Sequence, residues 1–396
     1  MSDPPAAALS RLPLAVLAAA FLFNLGQGVL RPSLPLYLQQ VFAANYRMVT
    51  LIPVVFGAGK WIASLPTGYL LDRLGRRRLM VTGLFLIAAS DIACVLTRDY
   101  RRFLGLRALA GVGWAMFGTV ATTTIVDQSG ARRRSRAISL LLMSETLGLL
   151  LGSAAGGSLY QRAGTTSPFV FEAGSMLVAV LAVRFGPAPT VERSGAPPLV
   201  ASDWGLLRSV LRVPGVLLMS LTNAALMAIQ TGVLVFLLPL YLAEQGRVGP
   251  ETVGYLVSLG VLGRLLALWV GGGASDRWGR LPVLIPGLVG YGALLASLTF
   301  MTHPLLLGLW SLMIGAGAGF VAGLPTAIVG DRVAPHLQGI AIGWLRTMTD
   351  SGMLLGPLVM GALADAVHLA AAFLFAGALM GALAWSCHRH ALRMAP

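Results

Sequence analysis

The chain has 396 residues, 56% of them hydrophobic and only 11% charged, with 29 Lys and Arg against 15 Asp and Glu for a formal net charge of +14. Soluble globular domains carry roughly a quarter charged residues, so the composition excludes a soluble enzyme or binding domain and points to a membrane protein. The arginines fall in short clusters between apolar runs, where they face anionic headgroups and set topology, and this excludes the continuous basic stripe of a nucleic-acid surface.

An apolar run crosses a hydrocarbon core of roughly 30 Å in about twenty residues. Twelve such runs are predicted, at 14–37, 48–71, 79–97, 102–126, 137–160 and 168–186, then 214–242, 251–274, 282–301, 304–328, 338–362 and 368–386. The first is too long for the apolar part of a signal peptide and lacks a cleavage site, so it is read as a retained span. Residues 187–213, rich in Pro, Ser, Gly and charge, form a predicted cytoplasmic linker between an N-terminal six-helix bundle (1–186) and a C-terminal one (214–396). With both termini in the cytoplasm, the inner segments hold eighteen arginines and the outer segments six, the asymmetry expected of a multi-pass protein of a bacterial-type inner membrane. Cys94 and Cys387 fall in or beside spans of opposite halves and give neither a disulfide framework nor a metal spacing.

The halves repeat at an offset of 204. Leu34-Pro35-Leu36-Tyr37 matches Leu238-Pro239-Leu240-Tyr241, Gly59-Lys60 matches Gly263-Arg264, and Gly111 and Gly113 match Gly315 and Gly317. Asp127 matches Asp331, Gly148 matches Gly352, and Gly152 matches Gly356. Agreement at one offset in several spans and loops signals duplication. Six spans per copy is an even number, so both copies enter the bilayer from the same side.

Gly68, Asp72, Arg73, Gly75, Arg76 and Arg77, with a second copy at Gly272, Asp276, Arg277, Gly279 and Arg280, form a short basic turn between two apolar runs. On these residues the whole chain resembles the major facilitator superfamily. The second copy departs from the pattern by carrying Leu281 in place of a further basic residue. The resemblance implies a fold of twelve transmembrane helices in two pseudo-symmetric six-helix bundles, with these loops acting in conformational gating. Leu25-Gly26 with Pro32 and Pro35, Phe103 with Arg107, Gly111 and Gly113, and Gly148, Gly152, Gly156 and Gly157 are similar to motifs of the twelve-helix drug/proton antiporter branch. That branch implies a proton-coupling role for Arg107, although Ser153 stands where its fifth-helix motif has proline.

Ionised groups inside a span cost several kcal/mol unless paired or hydrated, which makes them functional candidates. Glu145 and Asp350 lie near the middle of the fifth and eleventh spans, and Asp91 lies in the third. With Arg107 they form the proton-coupling candidates. Asp350 follows Arg346 by four residues, on one helix face, where an ion pair is expected. Glu172, near the start of the sixth span, reads as an end-of-helix carboxylate. Lys60 and Arg264 occupy the same repeat position near the bilayer centre, and Asn24, Gln27 and Arg31 in the first span and Asn223 and Gln230 in the seventh add polar groups. Together with Arg346 these are the candidate cavity residues. The alternative for Lys60 and Arg264 is interhelical pairing that ties each bundle together.

The expected activity is therefore alternating-access transport: proton-coupled export of small amphipathic compounds, with protons and membrane lipids as further partners, no nucleic acid and a monomeric state. The alternative is export or facilitated passage of anionic or zwitterionic metabolites held by Lys60, Arg264 and Arg31. A membrane receptor is the third reading. No cofactor, metal triad or activated nucleophile is expected.

Overall fold

The structure is a computed structural model and describes residues 14–128, 130–186, 204–245, 248–301, 303–334 and 337–394. Gly68 and Asp72 of the first loop motif lie outside the described side chains, as do Asp127 and the arginines from 132 to 136. Six long helices come first: α1 (Leu14–Phe42), α2 (Tyr46–Leu74), α3 (Arg76–Leu96), α4 (Tyr100–Gln128), α5 (Gly130–Ala163) and α6 (Ser167–Phe185). The short α7 (Trp204–Arg212) precedes α8 (Val216–Ala228), which runs through a π-helical segment (Ile229–Leu237) into α9 (Leu238–Glu244). Then come α10 (Pro250–Trp278), α11 (Arg280–Ser297), α12 (Pro304–Ala322), α13 (Leu324–Arg332), α14 (Gln338–Ala366) and α15 (Leu369–Met394).

Ten stretches of the described residues are long and apolar enough to cross a bilayer. The remaining two of the twelve predicted spans are α2 and α14, helices of 29 residues each. The molecule is an all-α polytopic membrane protein. Large apolar side chains such as Trp269 and Phe185 point outward, as lipid permits. Buried hydroxyls bond their own helix, Ser33 to the Val29 carbonyl and Ser220 to that of Val216.

The chain divides into two compact units. The first holds 14–37 and 55–186, and the second holds 38–54 with the described residues from 204 onward. In the first, Val16, Phe23, Leu84, Ile87, Phe117 and Met176 form the centre of a core drawn from α1, α3, α4 and α6. In the second, the hairpin at 38–54 is tied by polar contacts. Asp365 accepts from the Tyr46 and Arg47 amides (2.9 and 3.0 Å), which caps the start of α2. Glu244 accepts from the Tyr46 hydroxyl and from Gln39 (2.7 and 2.6 Å).

The internal repeat is visible in helix contacts. On α5, Gly148, Gly152 and Gly156 rest against the Phe21, Leu25 and Val29 carbonyls of α1, leaving no room for a Cβ. Small residues let helices approach closely where lipid offers no hydrophobic drive. Gly59 rests on Ala108 and Gly111 on Phe56; 204 residues on, Gly263 rests on Leu312 and Gly315 on Gly260. The Tyr37–Phe169 ring pair (4.9 Å) recurs as Tyr241–Phe373 (5.1 Å).

The α8–α14 contact deviates by one residue. Gly352 rests on Ala224 and Gly356 on Ala228, one position short of the counterparts of Phe21 and Leu25, whereas Gly232 meets Pro357 in the register in which Gly28 meets Ser153. The π segment beginning at Ile229 carries the extra residue that restores the offset, since a π turn is an α turn with one residue inserted.

Candidate functional site

Two polar sites lie inside the units. In the first, α3, α4, α6 and α1 bring together Asp91, Arg107, Glu172 and Gln27. Arg107 pairs with Asp91 Oδ1, and both are buried, at 3% and 0% exposure. Glu172, also 0% exposed, accepts from Gln27 Nε2 at 2.6 Å through Oε1, and its carboxyl lies close enough to that of Asp91 for the two to interact. Gly26 makes room for this: a Cβ there would press on Ser175 and Glu172. The Phe103 and Phe169 rings cover the Arg107 guanidinium at 5.8 and 5.5 Å. Glu172, expected at a helix end, is thus a partner in a fully buried cluster, and Arg107 is an internal ion-pair partner. The duplication does not copy the cluster: at the offset of 204 stand Leu295, Ser311 and Ala376.

The second site is a pocket of the second unit with about 420 Å³ of empty space, part of it continuous with solvent. Asn223 and Gln230, Arg264, Tyr291, Ala318 and Thr349 line it from α8 and the π segment, α10, α11, α12 and α14. Asn223 Nδ2 donates to Thr349 Oγ1 at 2.6 Å. The half-buried Arg264 shares the pocket with the amides of Asn223 and Gln230, the hydroxyls of Tyr291 and Thr349, and the apolar Leu226, Met227, Ala318 and Ala322, a mixed lining that suits a small ligand bearing an acceptor or negative charge. Three predicted cavity residues therefore meet here. Ala318 in the pocket wall stands at the repeat position of Trp114, whose ring in the first unit covers Lys60 with Nζ 3.9 Å from its centroid.

The other candidates are dispersed. Asn24 donates to the Ala20 carbonyl of its own helix at 3.0 Å, and Arg31 and Glu145 are half-buried. The expected Arg346–Asp350 pair is not formed: Arg346 is exposed, Asp350 is half-buried, and no ion pair joins them among the described residues. Spacing of four allows such a contact without requiring it.

At the loop motifs, Gly75 (φ 80, ψ 156) and Gly279 (φ 90, ψ 155) break the helices in a region reserved for glycine. Arg280 reaches Asp276 (2.5 Å), Ser275 (2.7 Å) and Asp331 (3.1 Å). Arg77 Nη2 donates to the Gly186 carbonyl. Arg73, Gly272 and Arg277 are exposed, and Arg76 is half-buried. Both cysteines are buried and free, and the described residues hold no cluster of metal ligands.

These features define a helical membrane protein built from a duplicated unit with polar sites inside it. The profile of the Major Facilitator Superfamily matches residues 16–249 and 223–392, and the chain belongs to that family. It is similar to an uncharacterized MFS-type transporter of Yersinia pestis (strain Pestoides F), with 26% identity over 281 residues covering 70% of each chain. It is also similar to the multidrug resistance protein MdtG of Citrobacter koseri, 26% identical over 366 residues, 89% of this chain and 88% of the other. Among solved structures, the nucleoside transporter NupG superposes with a TM-score of 0.81 at 14% identity, covering 96% of this chain and 99% of that one, a likeness of fold. The protein is thus a multi-pass inner-membrane transporter of a small molecule, not an enzyme.

Proposed function

We propose that the chain is a secondary transporter for small anionic or zwitterionic molecules. The observation that carries this reading is Arg264 in a pocket with Asn223, Gln230, Tyr291 and Thr349. A guanidinium held among neutral donors and acceptors favours a ligand that returns a negative charge. Alternating access by the 1–186 and 214–396 bundles, joined by the 187–213 linker, both termini in the cytoplasm and a monomeric state complete the reading. The loop-motif glycines and arginines and the α1–α5 glycine ladder serve the conformational change.

The test is flux into proteoliposomes of an organic anion, a zwitterion and a lipophilic cation, with and without a pH gradient. Anion or zwitterion flux is expected, abolished in Arg264→Gln and partly kept in Arg264→Lys. Flux of the cation alone, indifferent to Arg264, overturns it. A second reading, proton-coupled export of amphipathic compounds, is favoured by the similarity to MdtG and by the buried carboxylates of the first unit; gradient-driven cation flux selects it. Under either reading Glu145, Asp91, Arg107 and Asp350 are the proton-coupling candidates. Asn24, Gln27, Arg31, Lys60 and Arg346 are candidate contacts for substrate.

A further inference from the structure

The buried cluster of the first unit contains one cation and two carboxyl groups. Arg107 satisfies Asp91 Oδ1, and Gln27 satisfies Glu172 Oε1. The other two oxygens, Asp91 Oδ2 and Glu172 Oε2, are buried with no donor, and the two carboxyl groups lie close enough to interact. Two carboxylates have only acceptors to offer one another, so a bond between them requires a proton on one. Adding one proton also brings the cluster to zero net charge, which lipid surroundings demand.

We propose that Asp91 and Glu172 form a site for a single exchangeable proton, with Arg107 balancing the remaining charge and Gln27 orienting Glu172. When occupied, the proton bridges the two carboxyls. When it leaves, the cluster carries one net negative charge. The other ionisable groups that interact with this site are Cys94 on α3 and, through Arg107, Tyr37 on α1. Because Leu295, Ser311 and Ala376 replace the three charged residues in the second half, the site belongs to the first unit alone. Proton binding and the Arg264 pocket thereby fall to different halves of the duplication.

Its use in coupling rests on the transport reading above, whereas the experiment reads the proton without substrate, so either can fail alone. The full chain is placed in lipid nanodiscs, in a Glu145→Gln background that removes the other half-buried N-terminal carboxyl. Infrared difference spectra between acidic and alkaline buffer then report the protonated-carboxyl C=O band. One such band is expected, lost in both Glu172→Gln and Asp91→Asn, and retained at a shifted position in Glu172→Asp. A band unchanged in all three variants overturns the proposal. A band removed by Glu172→Gln but unaltered by Asp91→Asn also overturns it, since a lone carboxyl then holds the proton. Should Glu172→Gln fail to fold, Asp91→Asn and Glu172→Asp decide: an unshifted band in both overturns the site.

Discussion

Lys60 and Arg264 occupy one position of the duplicated unit, yet Lys60 lies 3.9 Å from the centre of the Trp114 ring while Arg264 faces a pocket whose wall includes Ala318, the counterpart of Trp114. One aromatic side chain separates an occupied cation from one facing open space. Ala318→Trp therefore closes the pocket over Arg264 and supplies a cation–π partner worth about 0.5–2 kcal/mol. Flux through the Arg264-dependent route falls by about tenfold or more, while the detergent melting temperature is held by the new contact. Undiminished flux would place the substrate elsewhere.

Removing Arg107 leaves two carboxyls in a dry interior. Arg107→Gln is expected to cost about 3–5 kcal/mol, the usual penalty for breaking a buried pair from one side. Adding Asp91→Asn to that variant restores part of the loss, because only one carboxyl remains. Thermal unfolding of the two single variants and the double variant measures the coupling; strict additivity would mean that the pair is not an energetic unit.

Gly75 and Gly279 of the loop motifs are held by backbone angle, not by crowding. At Gly279 the nearest atom to an added Cβ is Pro282 Cδ at 3.6 Å, an ordinary contact, but φ is 90°. Gly279→Ala should destabilise by about 1–3 kcal/mol. Gly105→Ala, in open space on α4, should be neutral or stabilising by up to about 1 kcal/mol. Equal melting temperatures for the two variants would contradict this assignment of strain.

Asp365 caps α2 from α14 through two amides. Asp365→Ala should cost about 0.5–2 kcal/mol, the range for a lost helix cap, and should accelerate amide exchange at the start of α2 while leaving α10 unchanged. Exchange at Tyr46 and Arg47 no faster than in the parent would show that another group takes over the cap.

The duplication was legible because identical residues at one offset need no knowledge of packing. The same offset carries Phe169 to Phe373, so the second aromatic pair was readable from the alignment of halves. Asp91 and Arg107 stood out singly as charges inside spans. Their pairing depends on the rotation of α3 against α4, which a sequence of uniformly apolar helices leaves open. Glu172 was masked by its nearness to a helix start, and the depth of the α1–α6 contact at Gly26 buries it. Arg346 and Asp350 show the converse, since spacing along one helix allows a contact that the described side chains do not make.

The π segment at 229–237 has a consequence for how the two copies diverged. An additional residue in a straight α-helix would turn every later side chain by about 100°, swinging Pro239 and Tyr241 away from their partners and exposing backbone to lipid. The bulge confines that rotation to a single stretch beside the pocket, where Gln230 lies. One wall of the pocket thereby differs from its counterpart in the first half, while the helix beyond the bulge keeps the register of the repeat.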